Sequence, residues 1–306
     1  MGDHMSWVTS WELWRQAMGP AGSRQRRQVD RFLADHPAVL YWGDSWFSTP
    51  LYLNLARQSA RRIRGLGMIL GKPGAQAAQL FTAREVDRIG DRIQHNPFDL
   101  VCLSAGGNDC LSDRLAAVFR DWTAKPKQAP PRIGADEAYA RFLASGALDR
   151  VRQAYARVLD RLLEVRAGRP RLRVLGHPYV PIQDIGRPAA LTTANIGLIA
   201  WVKEDVGPWL WAPMQHVVHD RDEAREFARR MLEDGFRDGV LGALARDPRY
   251  RGFFRVVDFT GVDTAAPGFW NDEIHPSESG FDAMAVPFNA AVREALPARK
   301  RHAVSD

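Results

Sequence analysis

The residues of this chain best suited to chemistry are Ser45, in a Gly-Asp-Ser segment, and His275, in an Asp-Glu-Ile-His-Pro segment. A serine hydroxyl is a poor nucleophile at neutral pH and needs an adjacent base that removes its proton. Histidine suits this task because its ordinary pKa, ~6.5, lies near the operating pH. Asp272, three residues before His275, could accept a hydrogen bond from the other ring nitrogen and so fix the tautomer of the imidazole. These residue types together predict nucleophilic acyl transfer.

Short apolar segments alternate along the chain with segments of helical periodicity. We predict β-strands at residues 38–42, 67–70, 98–103, 172–175 and 254–258. We predict helices over the first ~30 residues, from near residue 49, and at 76–94, 136–166, 221–245 and 280–296. Strands that alternate with helices favour a parallel sheet covered on both faces. Ligands of such sheets bind at the carboxyl ends of the strands, so the residues after each strand are the candidates for a site.

Four of these strand ends carry residues of functional types. Residues 43–46 follow the first strand, 71–74 the second and 106–109 the third, and residues 272–276 lie in a loop after the fifth. Each set also has a structural explanation, because Gly, Asp, Asn and Ser are common in turns and helix caps. The order of the four sets and their shared position at strand ends favour a functional site. Without one, a separate structural explanation would have to be true for each set at the same time.

The four sets resemble the conserved blocks of the SGNH/GDSL hydrolases, from residue 41 to residue 292. This resemblance implies a three-layer α/β/α sandwich with a five-stranded parallel sheet of flavodoxin-like order. It also implies that Ser45 is the nucleophile, that His275 is its base, and that Asp272 orients His275. No Gly-x-Ser-x-Gly segment occurs in the sequence, which argues against an ordinary α/β-hydrolase.

The same resemblance implies an oxyanion hole. Its donors would be the backbone N–H groups of Ser45 and Gly74 and the side-chain amide of Asn108, and such preorganised donors contribute ~3–4 kcal/mol each. Gly74 could present a bare N–H because it has no Cβ to obstruct the substrate. The name GDSL denotes Gly-Asp-Ser-Leu, so the family name implies leucine at the position of Trp46. This position does not take part in the bond chemistry, so the difference affects the expected shape of the pocket.

As a function, the resemblance implies hydrolysis of carboxylic esters through a Ser-His-Asp triad and an acyl-enzyme intermediate, without a metal or an organic cofactor. The expected partner is a small ester: a short or medium acyl ester, an acetylated sugar, a lysophospholipid or a thioester. One alternative is a carbohydrate O-acetylesterase. A second, from another class, is a catalytically silent SGNH fold that serves for binding, for example of an anionic partner.

Tryptophans near these blocks are candidates for substrate contacts. Trp201 and Trp209 lie in the apolar segment 191–214, which we regard as a possible lid, and Trp46 and Trp270 flank the catalytic blocks. Aromatic side chains in such positions could line an acyl pocket or stack on a sugar ring, but they could equally fill the core.

Composition and charge restrict which other classes of protein this chain could belong to. The 306 residues are 45% hydrophobic and 25% charged, as in soluble globular proteins. The net charge of +6 comes from arginines spread along the chain without a binding motif, so we expect no nucleic-acid partner. No apolar run approaches the ~18 residues of a membrane span. The first residues lack a secretory pattern, and Cys102 and Cys110 form no disulfide framework, so we expect a cytoplasmic protein.

The chain shows no internal repeat and no low-complexity linker. We therefore predict a single SGNH hydrolase domain over residues 37–298, preceded by a helical N-terminal extension over residues 1–36. The sequence does not determine the oligomeric state.

Overall fold

Six short segments form one β-sheet in the computed structural model, which describes residues 6–50, 53–189 and 207–305. The strands are β1 (Ser6–Val8), β2 (Ala38–Gly43), β3 (Leu66–Gly71), β4 (Leu100–Ser104), β5 (Arg173–Gly176) and β6 (Phe254–Val256). Neighbouring strands are parallel, in the order β1-β3-β2-β4-β5-β6. Every residue of β2 and of β4 is buried, as expected for strands covered on both faces.

The helices occupy most of the remaining chain, and among the described residues none is long and apolar enough to cross a membrane. The α-helices span Trp11–Met18, Arg24–Asp35, Ser45–Ser48, Leu55–Arg61, Ala77–Leu80, Ala83–Gln94, Ser112–Val118, Arg120–Thr123, Ala135–Ala144, Ala147–Gly168, Trp211–Met214, Arg221–Arg230, Ala243–Arg246 and Glu278–Ala295. A π-helix spans Met231–Gly242, and 3₁₀ turns lie at Gly107–Cys110, Pro126–Gln128, Pro248–Tyr250 and Ala298–Ala303.

Helices cover both faces of the sheet, as two consecutive residues of β2 illustrate. Tyr41 contacts Phe288 of the helix Glu278–Ala295, with ring centroids 6.4 Å apart. Trp42 contacts Phe81, which in turn contacts Tyr155 of the helix Ala147–Gly168. Because successive side chains of a strand point to opposite faces, the two helices lie on opposite sides. The predicted three-layer α/β/α class is therefore confirmed. Without the edge strand β1, the strand order is β3-β2-β4-β5-β6. This is the flavodoxin-like order 2-1-3-4-5 when β2 is counted as the first strand.

The sheet has one strand more than the five predicted. β1 lies at the edge, where Trp7 pairs with Gly67 and Val8 with Met68, within the segment that the sequence predicts as helical. Three residues are too few to show a period-2 pattern, and β1 is fixed by its pairing with β3 rather than by local preference. The helices Trp11–Met18 and Arg24–Asp35 follow in the same segment.

The carboxyl ends of the central strands meet at one edge of the sheet. Gly43, at the end of β2, pairs with Gly71 of β3 on one side and with Ser104 of β4 on the other. From β2 the chain passes first to β3 and then to β4 on the opposite side, so the strand order reverses at β2. The crevice outside such a reversal is the usual ligand site of doubly wound sheets. The loops after β2 and β4 therefore position the candidate site.

Candidate active site

The loop after β2 places Ser45 at the carboxyl edge of the sheet. Asp44 caps the helix Ser45–Ser48, since its Oδ1 accepts a hydrogen bond from the N–H of Trp46 at 3.2 Å. The N–H of Asp44 donates to the carbonyl of Ser104 at 2.9 Å, and the hydroxyl of Ser48 donates to the carbonyl of Asp44 at 2.7 Å. These bonds hold the turn, so Ser45 stands as the first residue of the helix next to β4.

His275 joins Ser45 to Asp272 through its two ring nitrogens. Its Nε2 lies 2.9 Å from Oγ of Ser45, and its Nδ1 lies 3.0 Å and 3.1 Å from the two carboxylate oxygens of Asp272. Oδ1 of Asp272 also accepts the backbone N–H groups of His275 (2.8 Å) and Ile274 (3.0 Å). The structure thus brings the three predicted residues into one hydrogen-bonded row.

The environment of Asp272 keeps its carboxylate ionised at neutral pH. Burial raises the pKa of this side chain, but the charge of His275 and the hydrogen bonds from His275 and Ile274 outweigh burial and lower the pKa overall. An ionised carboxylate beside Nδ1 favours the tautomer with its proton on Nδ1. Nε2 carries no proton in that tautomer and can accept the proton of Ser45.

Asn108 lies in the 3₁₀ turn after β4 and lines the same cavity as Ser45 and His275. Its Nδ2 donates to the carbonyl of Ala75 at 3.1 Å, and an amide nitrogen carries a second hydrogen that it can donate to a substrate oxygen. The turn begins after Gly106, whose φ of 113° favours glycine. Asn108 therefore has a fixed amide with one donor to offer.

Gly74 lies on the loop that Asn108 holds. Its φ is 74°, and a Cβ added here would meet nothing within 4 Å. The carboxylate of Asp109 accepts the N–H of Ala77 at 2.8 Å, which ties this loop to the Asn108 turn a second time. Burial raises the pKa of Asp109 to about 6, against the opposing effect of that bond. Gly74 is exposed and is not among the described residues that line the cavity, so its role as an oxyanion donor stays a prediction.

A small, mostly apolar cavity opens beside Ser45. Its volume is about 30 Å³, room for about two water molecules at the ~10–15 Å³ that each requires. The described residues that line it are Asp44, Ser45, Trp46, Gly107, Asn108, Leu111, Tyr179, Val180, Ile182, Met231, Leu232, Ile274 and His275. Aliphatic side chains thus form much of the wall next to the reactive groups.

The four predicted substrate-contact tryptophans have different positions. Trp46 lines the cavity, but its ring is buried and stacks on His177 at 5.6 Å. Trp209 meets the imidazole of His275 edge-on, with centroids 5.7 Å apart. Trp270 is buried and donates to the carbonyl of Thr264 at 2.9 Å, so it supports the His275 loop from within the core. Trp201 and residues 191–206 of the proposed lid lie outside the described residues.

Tyr179 is a cavity residue that the sequence analysis misses. Its hydroxyl donates to the buried carboxylate of Asp44 and accepts the N–H of Gly107, so it bridges the loops after β2 and β4. Burial raises the pKa of Asp44, although the hydrogen bonds from Tyr179 and Ser104 oppose this effect. Tyr179 follows the end of β5, so the strand-end rule used for the other loops could have identified it.

No protein-family model matches this sequence, and no curated protein matches it. Among solved structures, the chain is similar to phospholipase A1 from Streptomyces albidoflavus, at 16% identity and a TM-score of 0.41, over 83% of this chain and 99% of that chain. It is similar to an extracellular lipase from Streptomyces rimosus, at 16% identity and a TM-score of 0.39, with the same coverage. It is also similar to a protein from Parabacteroides merdae described as a GDSL-like lipase, at 16% identity and a TM-score of 0.40, over 84% of this chain and 95% of that chain.

Proposed function

We propose that this chain is a serine esterase of the SGNH/GDSL type that hydrolyses carboxylic esters. The observation that carries the proposal is the hydrogen-bonded row of Ser45, His275 and Asp272, beside a cavity that Asn108 also lines. The nucleophile lies 2.9 Å from the base, and the base lies 3.0–3.1 Å from the orienting carboxylate, which meets the geometric requirement for nucleophilic catalysis.

In the proposed reaction, Oγ of Ser45 attacks the ester carbonyl carbon while its proton passes to Nε2 of His275. Asp272 stabilises the imidazolium, and the amide of Asn108 and the N–H of Ser45 donate to the oxyanion. His275 then protonates the alcohol as the ester bond breaks, which leaves Ser45 acylated. A water molecule, deprotonated by His275, attacks the acyl-enzyme, and the carboxylic acid leaves as Ser45 recovers its proton.

The cavity favours a short acyl group. Leu111, Val180, Ile182 and Met231 supply an apolar wall, and the volume of about 30 Å³ accommodates little more than the methyl end of an acyl chain. This volume also favours the second candidate function, the carbohydrate O-acetylesterase, since an acetyl group is the shortest acyl group common on sugars. Faster hydrolysis of acetylated xylose than of butyrate esters would decide for the acetylesterase.

The direct test is hydrolysis of p-nitrophenyl esters from acetate to decanoate by the parent, Ser45→Ala and Ser305→Ala. We expect kcat/KM to be highest for the short esters and to fall by at least ~10⁴-fold in Ser45→Ala. Ser305→Ala removes an exposed hydroxyl that is bonded to the carbonyl of Arg62, outside the residues that line the cavity, and should retain activity. Equal activity of Ser45→Ala and the parent would mean that Ser45 is not the nucleophile.

A fluorophosphonate probe separates the esterase from a binding protein. An activated serine reacts covalently with this probe even when the physiological ester is unknown, so we expect labelling of the parent and none of Ser45→Ala. A folded parent that neither hydrolyses any of the esters nor reacts with the probe would contradict the proposed function and favour the silent binding fold.

A further inference from the structure

Glu273 lies in the same loop as His275, and the proposed reaction does not use it. Its side chain is completely buried, at 0% exposure. Oε1 accepts the N–H groups of Gly186 (2.8 Å) and Trp211 (3.0 Å), and Oε2 accepts the N–H of Leu210 (2.7 Å). One carboxylate therefore connects the His275 loop to two segments that are distant in sequence.

Hydrogen-bond donors contact both oxygens of the Glu273 carboxylate. Within the described residues, its side chain is bonded to backbone N–H groups, which supply the polar contacts that a buried carboxylate requires. Burial raises the pKa of Glu273, and the N–H groups of Leu210, Gly186 and Trp211 act in the opposite direction. A carboxylate accepts at both oxygens, whereas a glutamine would turn an NH₂ group toward one of these donors.

The segment that Glu273 binds also contacts the imidazole. Trp209 directly precedes Leu210, and its ring meets the His275 ring edge-on at 5.7 Å with an interplanar angle of 88°. The carbonyl of Trp209 accepts the N–H of Ser112 at 2.8 Å, next to Leu111 in the cavity wall. The position of Trp209 therefore affects both the general base and the wall of the cavity.

We propose that Glu273 is a positioning residue: by binding the N–H groups of residues 210 and 211, it holds the ring of Trp209 against His275 and keeps the imidazole directed at Ser45. The inference rests on the proposed esterase function, because the orientation of His275 matters for that reaction. Glu273 itself touches none of the reacting atoms.

The first test is kinetic and uses Glu273→Gln, with Glu278→Gln as the matched control on an exposed glutamate. We expect kcat for p-nitrophenyl acetate to fall about 10–100-fold in Glu273→Gln with KM within about twofold, because a small misplacement of a catalytic group lowers the rate of the chemical step. Glu278→Gln should match the parent. A rise in KM without loss of kcat would contradict a role in orienting the base.

A double-mutant cycle tests whether Glu273 acts through Trp209. Trp209→Ala should reduce kcat to a similar extent, and adding Glu273→Gln to it should cost little more, because the two residues belong to one contact chain. Trp209→Phe keeps an aromatic edge and should be more active than Trp209→Ala. Additive losses in the double variant, or a Phe variant no better than the Ala variant, would overturn the proposal.

Hydrogen exchange provides a readout that does not depend on activity. In Glu273→Gln the backbone N–H groups of residues 209–211 should exchange faster than in the parent, and in Glu278→Gln they should not. Unchanged exchange in Glu273→Gln would refute the anchoring role even if its activity falls. A parent without esterase activity but with faster exchange in Glu273→Gln would contradict the proposed function and leave the anchoring role of Glu273 supported.

Discussion

Asp272 stabilises its own loop as well as the ring of His275. Its Oδ1 accepts the backbone N–H groups of Ile274 and His275, at 3.0 Å and 2.8 Å, and both of its oxygens lie within 3.1 Å of Nδ1. The loop is therefore folded around the carboxylate. This geometry explains why an aspartate three residues before the histidine can orient it, because the turn and the ring share one acceptor.

Replacement of the Asn108 amide tests the proposed oxyanion hole at the scale of a single side chain. Asn108→Asp preserves the shape but replaces the donor with an acceptor, so we expect kcat for p-nitrophenyl acetate to fall by about 10²–10³-fold with KM little changed. Asp109→Asn is the control, because its Oδ1 can still accept the N–H of Ala77. Steady-state kinetics that give Asn108→Asp the kcat of the parent would exclude this amide as a donor.

At the scale of elements, the C-terminal 3₁₀ turn is bonded to the start of the central strands. Nζ of Lys300 lies 2.8 Å and 2.7 Å from the two oxygens of Asp99, and Oδ2 of Asp99 also accepts the N–H of Ala38 at the start of β2. Lys300 is 4% exposed and Asp99 is 8% exposed. This buried pair lies at the opposite end of β2 from Ser45, so it can be altered without touching the candidate site.

Removal of the Lys300 ammonium should lower the stability of the fold rather than affect the proposed catalysis. Lys300→Met leaves Asp99 buried without its cation, and we expect the free energy of unfolding to fall by about 3–5 kcal/mol in urea titrations. Adding Asp99→Asn should restore much of the loss, since the remaining amide oxygen can accept the N–H of Ala38. Arg255→Met breaks the exposed pair with Glu294 and should cost no more than about 1 kcal/mol. A similar small effect of Lys300→Met would contradict a stabilising role for the buried pair.

At the scale of the whole molecule, an aromatic cluster behind the loop of Ser45 joins the sheet to the helix Glu278–Ala295. His177 follows β5, is 1% exposed, and packs against the rings of Trp46, Phe47 and Phe288. Burial lowers the pKa of His177 to about 4, although the hydrogen bond to the carbonyl of Pro178 opposes this effect. The folded protein therefore holds a neutral imidazole in the layer that supports Ser45.

This burial predicts a loss of stability in acid. The unfolded chain binds a proton at an ordinary histidine pKa of ~6.5, whereas the folded chain resists it until about pH 4. The contribution of His177 is therefore complete above pH ~6.5 and is lost as the pH falls toward 4. His177→Phe should reduce this fall in the free energy of unfolding by up to ~3 kcal/mol, and His95→Gln, at an exposed position, should not. Urea titrations between pH 4 and 8 with parallel curves for the parent and His177→Phe would contradict the prediction.

Local patterns determine much of this molecule. The apolar segments that become β2 to β6, and the Gly, Asp, Ser and Asn residues that end them, can be read directly from the sequence. Since parallel strands share a carboxyl edge, these patterns suffice to predict that Ser45 and Asn108 lie together. Asp272 is local to His275, so their contact follows from a spacing of three residues.

Only the tertiary structure determined the contacts between residues far apart in sequence. β1 forms because β3 offers it a parallel partner. Tyr179 bridges two loops through its bonds to Asp44 and Gly107. Glu273 connects its own loop to two distant segments through the N–H groups of Gly186, Leu210 and Trp211. A sequence pattern records the preferences of neighbouring residues, whereas these contacts depend on how distant segments pack. The candidate catalytic residues are therefore predictable from short segments, whereas the contacts that support the candidate site are a property of the folded chain.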